Sequence, residues 1–207
     1  FATYGFAKQN SLDKKIVNEI ERLDKNTKLL DEQKKPILTT LEDARKILNK
    51  ADEQTKLAKT FSERAATAPQ KILAIQNENN RLKNQTITIA PDQSIDKLEN
   101  QLLIDLADQE NRLRALGEKQ TEQSNLSVRG SEIANELSAA LADKKAISDT
   151  ITKQPNQDTS PDERADFYKK SATIEKLAAT IKALEREIAT IPVREALVDA
   201  ELMQMQL

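Results

Sequence analysis

The sequence contains no cysteine, no histidine and no tryptophan. Without a thiolate or an imidazole, zinc and most transition-metal sites are excluded, and so are serine–histidine and cysteine–histidine nucleophile pairs. Only three glycines, four phenylalanines and two tyrosines occur in 207 residues. Few glycines leave little material for tight turns, and few aromatics leave a thick globular core unfilled. No apolar run approaches the roughly 20 residues of a membrane span. No glycine-rich phosphate loop is present. Basic and acidic residues number 32 and 34, a net charge of −2, so overall charge does not recruit a polyanion.

What is present is helix-forming and charged. Ala, Leu, Glu, Lys, Gln and Arg are abundant, and 32% of residues are charged. That is the profile of long helices or coiled coil. Charge is divided along the chain: residues 8–83 hold 17 basic and 12 acidic groups, and residues 84–207 hold 15 and 22. A basic arm and an acidic arm suit side-by-side packing.

The longest uninterrupted stretch is residues 94–153, which lacks proline and has only Gly117 and Gly130 as glycines. It predicts one central helix of about 90 Å, capped by Asp92 or Ser94. Its apolar positions Ile95, Leu98, Leu102, Leu106, Leu113 and Leu116 share a broad face. That face almost disappears over residues 117–129, where only Leu126 and Val128 remain, and it returns at Ile133 and Leu137.

Residues 1–10 have no period and read as a loose N-terminal segment. From Ile16 a seam of period 3.5 runs through Ile20, Leu23, Thr27, Leu30, Lys34, Ile37, Leu41, Ala44 and Leu48. Its register crosses Pro36 without a slip, which predicts a first arm over 11–83, kinked at Pro36 and jointed again at Pro69. Residues 84–93, with β-branched Thr86 to Ile89 and then Pro91, predict an extended reversal. Residues 154–160 predict a loop. Ser160-Pro161-Asp162-Glu163 is a full capping box, so a third helix over 161–207 follows, kinked at Pro192. The predicted class is all-α: an elongated antiparallel helical bundle of coiled-coil hairpins, one helical domain, with one very long central helix. The start at Phe1 and the uncapped end at Met203–Leu207 make a fragment of a longer chain the expectation.

Candidate acid–base groups are Glu185 with Glu187, Asp105 with Asp108, and Asp162, Glu163 and Asp166. Residues two apart on a helix point in different directions, and acids at a helix start complement its dipole. The reading is therefore structural, with no catalytic, cofactor-binding or metal-binding residue and no cofactor. Lysine doublets such as Lys34-Lys35 lie near acids without aromatic platforms, which argues for solvated faces over a nucleic-acid patch.

The order of pieces carries a resemblance. Leu29-Leu-Asp-Glu-Gln-Lys-Lys35 leads into a charged helix. Ala68-Pro-Gln-Lys-Ile72 follows, then Ala90-Pro-Asp-Gln-Ser-Ile-Asp-Lys-Leu-Glu-Asn-Gln-Leu102, Arg129-Gly-Ser-Glu-Ile-Ala-Asn-Glu-Leu137 and Ala178-Ala-Thr-Ile-Lys-Ala-Leu-Glu-Arg186. Over roughly residues 12–207 the chain resembles the N-terminal periplasmic region of the large MscS-type mechanosensitive channels, the MscK/KefA and MscM branch. The resemblance implies a helical periplasmic domain of a Gram-negative inner-membrane channel that answers osmotic downshock. Its partners would be the remainder of the channel polypeptide and sister subunits of a homo-oligomer, with envelope components as further candidates. No pore-lining residue of that family falls on this stretch. The alternative is a coiled-coil adaptor or spacer of the cell envelope, or of cytoskeletal type, acting through helix–helix interaction.

Overall fold

The computed structural model describes residues 2–85, 94–156 and 158–206, with side chains from residue 11 onward. Four helices follow one another: α1 (Ala2–Asp24), α2 (Asp31–Lys83), α3 (Ile95–Asp149) and α4 (Pro161–Met205). The fold is an all-α helical bundle with very long helices, of 53, 55 and 45 residues for α2, α3 and α4. Its tertiary contacts form two compact units, Phe1–Phe61 with Ile133–Glu187, and Ser62–Glu132 with Ile188–Leu207. The sequence reading expected one helical domain.

Three local expectations are corrected. Residues expected to be loose begin α1, whose helix starts at Ala2. The predicted single arm 11–83 is two helices separated by a turn at 25–30. There the Asn26 side chain accepts from Lys28 N at 2.9 Å, and Leu30 N donates to Gln33 Oε1 at 3.1 Å. Acids Asp31 and Glu32 then open α2, where they suit the helix dipole. Residues of α1 and α2 on either side of the turn, Ile16, Leu23, Ile37 and Leu41, nonetheless share one core. Leu30, counted as a seam residue, is 69% exposed. Finally, Pro69 starts no new helix, since α2 continues from Asp31 to Lys83. The reversal expected over 84–93 lies outside the described residues except for 84 and 85.

In the first unit, α1 and α2 run antiparallel. Lys34 Nζ reaches Asp24 O, and Arg45 Nε pairs with Asp13 Oδ1 at 3.0 Å. Between them lies the core of Ile16, Leu23, Ile37, Leu41, Ala44 and Leu48, closed by Ala165 and Ala172 of α4. The two alanines let the α4 backbone approach closely. The capping box predicted at Ser160 forms: Glu163 N donates to Ser160 Oγ at 3.3 Å and Ser160 N to Glu163 Oε2 at 3.1 Å. Ser160→Ala is expected to cost about 1 kcal/mol and Ser160→Gly a few tenths. Urea unfolding of the two variants checks this ranking, and equal midpoints would contradict it.

In the second unit, α4 is antiparallel to α3 and parallel to α2. As α3 partners rise from Lys119 through Gln123 to Gly130, their α4 partners fall from Glu201 through Asp199 to Ile191. On α2, Asn79 and Lys83 meet Ala200 and Met203. The central helix is continuous through its polar zone, from Ile95 to Asp149. Its first third is not packed as expected, because residues 94–114 are exposed throughout.

Candidate functional site

The polar zone of α3 is where the structure differs most from a plain coiled coil. Leu126 is buried, but the neighbouring contacts with α4 are charged. Lys119 Nζ lies 2.7 Å from Glu201 Oε2 and 2.9 Å from Glu122 Oε2. Arg194 reaches the same Glu122 at 3.9 Å. Gln123 Nε2 donates to Asp199 Oδ1 at 2.7 Å. The adjacent carboxylates of Glu201 and then Glu122, which accept from it, hold the Lys119 ammonium above its usual pKa. The apolar signal vanishes over 117–129 because ion pairs replace it. A charge at Lys119 with opposite charge on a later helix was the available clue, but the pairing register is not readable from one helix.

A cleft of about 230 Å³ opens beside this cluster, lined by Arg64, Lys71, Lys119, Glu122, Arg194 and Glu201. Deeper in the same unit, Asn79 is 2% exposed. Its Nδ2 donates to Ala200 O at 3.2 Å, and its Oδ1 has no partner among the described residues. An amide at a seam position fixes register at some cost in stability.

The first unit holds a second polar centre that sequence reasoning missed. Arg164 Nε donates to Glu19 Oε1 at 2.7 Å, both residues buried, and Arg164 Nη1 also donates to Thr159 O. Glu19 sits three residues after Ile16 and four before Leu23, so a charge on the apolar face was the visible signal. Nearby, a groove of about 490 Å³ is lined by Leu12, Lys15, Pro155, Phe167, Tyr168 and Glu175. Phe167 and Tyr168 pack edge to face at 5.7 Å, and burial pushes the Tyr168 phenol up.

Glu163 caps α4, Asp166 pairs with Lys170 at 2.7 Å, and Asp105 accepts from Gln101 at 2.8 Å. Among the described residues no group of three acids could hold a metal ion, and no helix is long and apolar enough to cross a membrane.

The arrangement defines an all-α domain whose specific contacts run from helix to helix. Residues 19–207 match the mechanosensitive ion channel porin domain, MscS_porin, and the chain belongs to that family. It is thus a channel-associated domain of a mechanosensitive channel, as the resemblance implied. No curated protein and no solved structure matches the chain.

Proposed function

We propose that this chain is a non-catalytic part of a mechanosensitive channel, standing on the periplasmic side of the Gram-negative inner membrane. It contributes to assembly with sister subunits or to tension-dependent opening during osmotic downshock. The observation that supports a part in opening is the charged seam of Lys119, Glu122, Arg194 and Glu201. Ion pairs at a helix contact can be exchanged for water, whereas an apolar layer loses its whole driving force when parted. Such a seam allows α3 and α4 to shift where membrane tension pulls on one of them.

Gly117 and Gly130 flank this zone and offer the test. A Cβ at Gly117 meets nothing within 4 Å, and one at Gly130 meets Ile191 Cδ1 at an ordinary 3.6 Å. Each change to alanine fits and removes about 0.5–1 kcal/mol of helix flexibility cost. The double variant Gly117→Ala/Gly130→Ala is expected to open at a changed tension in patch recordings of the full channel. A passive spacer predicts the same opening tension as wild type, and that result would remove the gating role.

A further inference from the structure

Of the exposed large apolar residues in the stretch 94–114 of α3, Leu103 and Ile104 point elsewhere, and Ile95, Leu98, Leu102, Leu106 and Leu113 form a set. Their spacing puts them on one side of the helix along about 27 Å. That side is continuous with a contact already made. Counting in sevens from Ile95 passes Leu102, Gln109 and Leu116 and arrives at Gln123 and Gly130. Gln123 is bonded to Asp199, and Gly130 faces Ile191. The companion set, Leu98, Asp105, Arg112, Lys119 and Leu126, ends in the residue paired with Glu201 and in a buried leucine. Where that set carries Asp105 and Arg112, Leu106 and Leu113 stand one residue further on. The exposed face is the α3–α4 seam, prolonged in register past the part that α4 covers.

Continuity also describes the occupant. A helix in line with α4 and antiparallel to α3 meets Leu116, Leu102 and Ile95 in the register that Ile191, Asp199 and Glu201 already keep. A second copy of this chain fits poorly. Glu99, Asp105 and Glu110 lie beside the stripe with Arg112 and with Arg114, which pairs with Glu110 at 3.7 Å; acids outnumber bases there, so two such faces would set like charges against each other. We infer that a helical stretch of the same channel polypeptide, outside residues 1–207 and collinear with α4, docks on Ile95–Leu113. It carries apolar residues at steps of three and four, with Lys or Arg beside them. This rests on the reading of the chain as a channel domain.

The test places a photoreactive benzoylphenylalanine at Leu106 in the full-length channel, in membranes. Irradiation is expected to give a cross-link at the mass of one subunit, to a peptide C-terminal to residue 207. The same label at Lys97, on the opposite side of α3, is expected to give none of that product. A dimer-sized product joining two 95–116 peptides, a product with a foreign protein, or no protein product overturns the inference. Hydrogen exchange gives a second reading. Amides of 94–114 are expected to exchange at least tenfold more slowly in the full channel than in the 207-residue chain, and equal rates overturn the inference. Patch recording of the same preparation separates the two failures. A silent channel with the intrachain cross-link intact would remove the channel reading and leave the docking standing.

Discussion

Glu19→Ala is expected to destabilise the protein by about 3–5 kcal/mol, the usual cost of breaking a buried pair. The reason lies in what stays behind. Arg164 is 6% exposed and cannot lose its charge, so removing Glu19 strands a guanidinium in the core. The other acceptor of Arg164, Thr159 O, is a neutral carbonyl and leaves the charge uncompensated. Removing both charges with volume kept, as in Glu19→Leu/Arg164→Met, is expected to cost far less, because no orphan remains. Chemical denaturation of Glu19→Leu, Arg164→Met and the double forms a mutant cycle. For a chain of this length the single change corresponds to a fall in Tm of roughly 6–20 °C. A single-variant cost below about 1 kcal/mol would mean that the pair behaves like a surface contact.

Leu41→Ala should be comparably severe, at about 2–5 kcal/mol. Leu41 is 0% exposed and lies among Ile16, Ile37, Ala44 and Leu48, with Ala165 and Ala172 of α4 in the same cluster. Truncation removes buried methyl groups and leaves a hole that three helices would have to move together to close. Leu102 is the matched control. It is also a leucine on a helical seam, but it is 58% exposed in this chain. Leu102→Ala is expected to lie within about 0.5 kcal/mol of wild type. Urea midpoints of the two variants settle the comparison, and equal losses would show that residues 94–114 are packed in solution.

These contrasts mark the division between sequence and tertiary structure. Helix periodicity is local, since residues three and four apart share a face whatever lies opposite. The all-α class, the apolar set Ile16, Leu23, Ile37 and Leu41, and the start of α4 at the Ser160–Glu163 box were therefore readable along the chain. The turn at 25–30 was not, because α1 and α2 enter one core from opposite ends in the same heptad phase. Asn26, the acids Asp31 and Glu32, and Gln33 were the local signs of it. Nor was the pairing of Glu19 with Arg164, which are 145 positions apart. Which charges meet depends on the axial register between helices, and turns and core packing set that register, not the composition of either helix. The same reason explains α3. Its sequence shows that Ile95, Leu102 and Lys119 belong to one seam. Only the tertiary structure decides that Lys119 has Glu201 against it, while Leu102 stays exposed among the described residues.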